Sequence, residues 1–381
     1  MQETLDAARA IAPRLEAVSE TSELARRVDD DAVAALQEAG LIRLMAPRAH
    51  GGAELPIRHQ ILSCAETAKA CPAASWLQMV CGAHTYIAGR YPETCQAEVF
   101  ATGPDVLIPG TLAPQGAARQ VEGGWRVSGR WQFGSGCDHG PWFLIGAATP
   151  EGPPGGVHVI VPAAEVTIDD TWYTLGLRGT GSKDLVLEDV FVPDHRAMLT
   201  PGLFVGQTAE DAGALYHLPV APGLASMLAG SVLGMAERGY RRFVDYAAVR
   251  KEVIGTANKA EKAGTQMRVA QSGIELQAAR LLLEGICDRF DAVMAADEPP
   301  MPLAERVQVR WEAAYVVELC RRATERLFAA AGAHGIYDTS PLQRVFRDIN
   351  TASHHAIVDF DNLAEAKGMM ELGLEVSPRL G

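Results

Sequence analysis

Apolar residues recur at helical spacing through roughly the first 110 positions, at alternate positions from about 111 to 200, and at helical spacing again to the end. Residues 32–40 read as a helix stopped by Gly40, since glycine suits the left-handed residue just past a helix. Gly51-Gly52 and Pro56 mark a turn. Stretches 61–69 and 75–89 are helical and mostly apolar, which predicts buried helices. In the middle third, Gly123-Gly124 predicts a hairpin turn into a strand over 125–131, with further strands at 142–148, 157–161 and 185–192 and a turn at Pro153-Pro154-Gly155-Gly156. Four long helices follow at 222–250, 263–296, 302–331 and 341–372, separated in part by Pro299-Pro300 and by a turn at 332–340. The fold class is therefore α+β, mainly α. It comprises a helical domain at 1–110, a small antiparallel β-sheet domain at 111–213 and an up-down four-helix bundle at 214–381.

Bulk properties narrow the function classes. A chain of 381 residues, almost half of them apolar, has ample material for two or three packed subdomains. A formal charge of −13 argues against a nucleic-acid partner, which needs a basic stripe. Seven scattered cysteines without a CxxC pair read as reduced thiols, and hence as a cytoplasmic protein. The polar, helical N-terminus has neither signal-peptide nor transit-peptide character. The longest apolar stretch, 218–236, is diluted by Pro, Ser and Gly, so it reads as a buried helix with its lead-in and not as a membrane span.

Three segments carry candidate chemistry. In Trp172–His195 a turn rich in Gly, Ser and Thr (176–182) stands directly before an alternating strand closed by Pro193. Glycines let backbone approach a flat or phosphorylated ligand, and hydroxyls beside them can bond it; a plain tight turn between strands would use the same residues. The order Gly181-Ser182-Lys183 fails the Walker pattern, and no GxGxxG joins a strand to a helix, so a dinucleotide Rossmann fold is not expected. The second segment is Trp131-Gln-Phe-Gly-Ser-Gly-Cys-Asp-His139, able to set an aromatic against a ring face and a hydroxyl against a ring nitrogen, or to form a β-bulge. The third is Thr351-Ala-Ser-His-His355 in the last expected helix, where at most one histidine faces a given site. His84, on an apolar helix, is a further candidate. Metal binding has no support, because HExxH, CxxC and paired histidines beside acids are all missing. The basic run at 238–242 reads as a solvated face.

Taken in order, 44–52, Trp76 with His84, 129–142, 176–196 and 341–355 resemble the acyl-CoA dehydrogenase superfamily. The likeness is strongest to its flavin-dependent monooxygenase branch. That branch holds the oxygenase components of two-component 4-hydroxyphenylacetate hydroxylases and the dibenzothiophene monooxygenases. The resemblance implies an enzyme that takes reduced FMN or FAD from a separate NAD(P)H-dependent reductase, forms a C4a-hydroperoxide with O2, and hydroxylates a phenolic or other electron-rich small molecule. It places Phe133, Gly134 and Ser135 along the isoalloxazine, with Ser135 on N5, and Gly110 and Thr111 on the pyrimidine side. Thr180 and Ser182 belong to the turn near the flavin. Arg250 and the turn beginning at Gly332 would reach the cofactor from a neighbouring subunit, which implies a homotetramer. His355 falls where the branch keeps a histidine facing C4a and would serve as base; His84 and Trp76 would line the substrate. Two alternatives stay on the same scaffold: an acyl-CoA dehydrogenase, and an N- or S-oxygenase. The stretch 353–356 lacks the carboxylate that dehydrogenases of the common type use as base. Alanine replaces a glutamine that grips the adenine half of FAD, leaving FMN open.

Overall fold

Six helices open the chain: Gln2–Ala17, Ser19–Ala25, Asp30–Glu38, Ile57–Ala70, Pro72–Ala88 and Glu93–Val99. The computed structural model describes residues 1–152, 155–204, 212–251, 258–296 and 301–377; Pro153-Pro154 and Pro299-Pro300, expected in turns, lie outside the described residues. Helix Asp30–Glu38 starts where the Asp29 carboxylate accepts from the Asp31 N–H. It ends at Gly40, whose φ of +68° lets the Gly40 and Leu41 N–H groups turn back to Gln37 and Leu36. Helix Pro72–Ala88 begins on a proline at its first turn and is buried around almost its whole circumference. The expected buried helices are both present.

Among the described residues, seven strands form one sheet: β1 Gly110–Val121, β2 Gly124–Gly134, β3 Trp142–Ala148, β4 Val157–Pro162, β5 Thr167–Asp169, β6 Lys183–Pro193 and β7 Ala197–Leu199, in the order β5-β6-β2-β1-β3-β4-β7. The sheet is not purely antiparallel as expected, because β1 pairs parallel with β3. After the β1–β2 hairpin the chain crosses from one side of β1 to the other through 135–141, so β3 runs in the direction of β1. That crossing segment is the Gly-Ser-Gly motif. The sheet has its own core of Trp125, Val127, Trp131, Phe143, Leu185 and Val192 among others, and the Trp131 indole donates to the Gly146 carbonyl (2.6 Å).

The C-terminal bundle is built from Val220–Val249, Ala263–Ala295 and Leu303–Ala331, as expected. Its last member is not one helix over 341–372. Pro341–Ala352 stops, a 3-10 turn Ala356–Val358 intervenes, and Phe360–Glu371 restarts where Asp359 caps the Asn362 N–H. His354 and His355 therefore sit in the break and not on a helix face. Val220–Val249 is long and apolar enough to cross a membrane, but its residues from Val220 to Ala236 are buried in the protein except Leu224. Gly230 and Gly234 let it lie against the backbone of Ile61 and Ala65, where a methyl group would collide. Arg241 is solvated, as read from the sequence, but Arg238 is not: it donates to Glu16 and to the Lys69 and Ala70 carbonyls, tying the bundle to the first helices.

Candidate functional site

The crossing segment, the glycine-rich turn and helix Pro72–Ala88 converge on a group of buried hydroxyls. Ser135 pairs across a bridge with Gly110, whose φ of +143° and approach to the Leu144 carbonyl exclude a side chain; Thr111 is next along β1. Ser135 Oγ lies 2.7 Å from Ser182 Oγ, and Ser182 Oγ lies 2.7 Å from Thr180 Oγ1. Thr180 donates to the Leu177 carbonyl (2.8 Å), and Trp76 Nε1 donates to Ser135 Oγ (3.1 Å). The Gly136 N–H donates to the Thr180 carbonyl (3.0 Å), so backbone as well as side chains joins the two motifs.

Beside these hydroxyls the surface is aromatic and open. Phe133 is 58% exposed, stands edge-on to Trp172 (centroids 6.1 Å apart), and has a φ of +67°. Of the five described non-glycine residues with left-handed φ, three (Arg26, Phe133 and Leu177) surround this place. Such conformations cost about 1 kcal/mol or more each and persist only where the surroundings hold them. Tyr173 and Leu175 also project into solvent, Tyr173 under the Arg26 guanidinium.

The glycines of the turn serve packing. A side chain on Gly176 would strike the Arg347 carbonyl, and one on Gly179 would press on Ser22, Glu23 and Ala73. The turn is thus clamped between helices Ser19–Ala25 and Pro341–Ala352. The Leu177 N–H donates to Asp348 Oδ1 (2.7 Å), and Arg347 joins the Leu175 carbonyl to Glu23 (2.8 Å each). Asp348 is buried, which raises its carboxyl to about 6 although Arg344 opposes the shift. Trp172 and Leu177 belong to the segment singled out from sequence but had no role of their own there, and neither had Asp348. Asp348 could have been found as an acid on the inward face of a strongly amphipathic helix.

Both candidate histidines are neutral, in opposite tautomers. His84 lies two turns beyond Trp76 on the same helix, about 12 Å along its axis. Its Nδ1 is 2.7 Å from the Ile108 carbonyl, which only accepts, so Nδ1 carries the proton and Nε2 the lone pair. Burial lowers its pKa to about 4. His355, 6.1 Å from the Trp76 ring between centroids, accepts the Ile357 N–H on Nδ1 (3.2 Å), which leaves Nε2 as its donor. The residue is open to solvent, yet the protein around the ring still lowers its pKa through lost hydration.

The structure thus gathers Trp76, Ser135, Thr180, Ser182 and His355 in one place, with Phe133, Gly134, Gly110 and Thr111 adjoining. Arg250 and Gly332 stand apart. Arg250 ends helix Val220–Val249 and Gly332 ends Leu303–Ala331, at the bundle end where Tyr246 bonds the Ala331 carbonyl (3.2 Å). Among the described residues no cluster of metal-ligating side chains exists. The group does fit a flavin. It offers an exposed aromatic face, backbone stripped of side chain at Gly110, and a buried hydroxyl with a lone pair to spare.

Helices before and after a crossing β-sheet, with a bundle to close, define the acyl-CoA dehydrogenase architecture. The acyl-CoA dehydrogenase N-terminal domain model matches residues 3–92 and the acyl-CoA dehydrogenase C-terminal domain model residues 226–360. The chain is 33% identical over 370 residues to the oxygenase component of an FADH2-dependent resorcinol hydroxylase from Rhizobium sp. (strain MTP-10005), covering 93% of this chain and 90% of that one. The 3-HSA hydroxylase from Rhodococcus sp. RHA1 superposes with a TM-score of 0.93 at 28% identity, over 100% of this chain and 99% of that chain. XiaF from Streptomyces sp., in complex with FADH2 and glycerol, gives 0.92 at 26% identity over 98% and 96%. The chain belongs to the flavin-dependent monooxygenase oxygenase components of the acyl-CoA dehydrogenase superfamily.

Proposed function

We propose that this protein uses reduced flavin and O2 to hydroxylate a small phenol, with the group of Phe133, Ser135, Trp76 and His355 as its site. Family membership supports the reaction class, and the opposed tautomers of His84 and His355 support the division of labour. Reduced flavin, when bound, supplies the electrons that activate O2. Phe133 and Trp172 would lie against the bound ring, and Ser135 would accept a hydrogen bond from it. His84, with its lone pair on Nε2, accepts the phenol proton and makes the ring carbon more nucleophilic. His355, with its proton on Nε2, would supply a hydrogen-bond donor to the bound flavin and oxygen. This assignment moves the base from His355, where the family resemblance puts it, to His84.

The oxygenase-component relatives imply a separate NAD(P)H:flavin reductase as partner. The exposure of Phe133, and the position of Arg250 and Gly332 at the ends of bundle helices, support a homotetramer in which a neighbour completes the flavin site. All seven cysteines are free and buried, in keeping with a cytoplasmic location. The test is turnover under 18O2 with reductase, NADH, FMN or FAD, and a panel of phenols, amines and sulfides. One labelled oxygen in a phenol product is expected. Hydrogen peroxide alone across the panel defeats the monooxygenase reading, and label found only in the amines or sulfides defeats the phenol.

A further inference from the structure

The hydroxyl group around Ser135 has only one consistent direction. A carbonyl cannot donate, so Thr180 spends its single proton on Leu177. Ser182, 2.7 Å from Thr180, must then donate to it, and Ser135, 2.7 Å from Ser182, must donate in turn. The Trp76 indole, a donor only, points its N–H at Ser135 Oγ (3.1 Å). All four side chains are buried, so water does not offer an easy substitute partner. The proton of Ser135 is therefore committed inward, and any further partner meets an acceptor.

We propose that Trp76, Ser182 and Thr180 are positioning residues that hold the Ser135 hydroxyl as an acceptor and thereby make the site select reduced over oxidised flavin. The inference rests on the reading above that Ser135 faces N5. Reduced flavin carries a hydrogen on N5 and can donate to Ser135; oxidised flavin has a bare lone pair there. To serve oxidised flavin, Ser135 must turn its proton outward, which leaves two oxygen lone pairs facing each other across 2.7 Å at Ser182. A lost buried hydrogen bond of this kind is worth roughly tenfold in relative affinity.

The experiment is anaerobic titration of the purified protein with reduced and with oxidised FMN and FAD, together with the midpoint potential of the bound flavin. Ser182→Ala frees the Ser135 proton, so the ratio of reduced to oxidised affinity should narrow about tenfold and the potential fall by about 30 mV. Thr180→Val removes the acceptor that orients Ser182 and should act in the same direction, which keeps the test valid if one variant folds poorly. Ser135→Ala should weaken reduced flavin and leave oxidised flavin nearly unchanged. If Ser182→Ala and Thr180→Val weaken both forms equally, the hydroxyls only support the fold and the selectivity claim is overturned. If Ser135→Ala alters neither affinity, Ser135 does not face N5, and the placement of the flavin fails along with the inference built on it.

Discussion

At the scale of single residues, the site separates groups that look alike in sequence. His84 and His355 are both neutral imidazoles, yet backbone contacts give one a lone pair and the other a proton at the free nitrogen. His84→Ala is expected to lower kcat/KM for a phenol by about 10²-fold, with affinity for reduced flavin near that of the parent protein. Steady-state kinetics beside a flavin titration decide this, and an unchanged kcat/KM would remove His84 from the substrate's side. Asp348 offers a second test. Its carboxyl ionises at about 6 in the folded chain against 3.8 ordinarily. The native state thus holds the proton more tightly, so this residue's contribution to stability is fully present below about pH 3.8 and is lost as pH rises through 6. Asp348→Asn keeps an oxygen acceptor for the Leu177 N–H but does not titrate. Melting temperatures from pH 4 to 7 should therefore decline less, or rise more, in the variant. Parallel curves would assign the pH dependence elsewhere.

At the scale of elements, the glycine-rich turn is held from both sides, and its glycines mark where other backbone approaches. Gly176→Ala would push the turn off the Arg347 carbonyl, costing about 1–3 kcal/mol as overpacking does. Urea denaturation reads that loss, and a variant of unchanged midpoint would show that the contact relaxes freely. The turn's importance was legible in its residue order, but its partners were not, since Ser22, Glu23 and Arg347 lie far off in sequence. The three long bundle helices were legible because their apolar spacing is sustained. The break before Phe360 was missed because apolar spacing resumes across it, although Asp359 in front of Phe360-Asp-Asn362 is a capping signal. The parallel pairing of β1 with β3 had no local signature, since it arises from where the chain crosses at 135–141. Short β5 and β7 were likewise missed, each having only three residues to show a period.

At the scale of the whole molecule, helix Ala263–Ala295 presents Met267, Ile274 and Leu281 at intervals of seven, 61%, 61% and 62% exposed. A repeat of seven keeps one face in line along a helix, the arrangement that packs helix against helix. If this face seats a second copy of the chain, as the proposed homotetramer requires, Ile274→Glu with Leu281→Glu should lower the sedimentation coefficient in analytical ultracentrifugation and weaken flavin binding with it; a sedimentation coefficient equal to the parent protein's would overturn that seating. The tie between Arg238 and Glu16 has a consequence for biosynthesis. The Glu16 carboxylate of helix Gln2–Ala17 stands 222 residues before Arg238 and 226 before Arg242, the two arginines that engage it. Closing so long a loop is slow, and helix Ile57–Ala70, which lies along Val220–Val249 at Gly230 and Gly234, has to wait for that partner while the sheet is still being assembled. Nascent chains arrested before residue 220 should therefore be cut by protease within helix Ile57–Ala70, whereas released full-length chains resist. An early helix is thus completed by a later one, and synthesis has to pass the sheet before the segment ahead of it can settle.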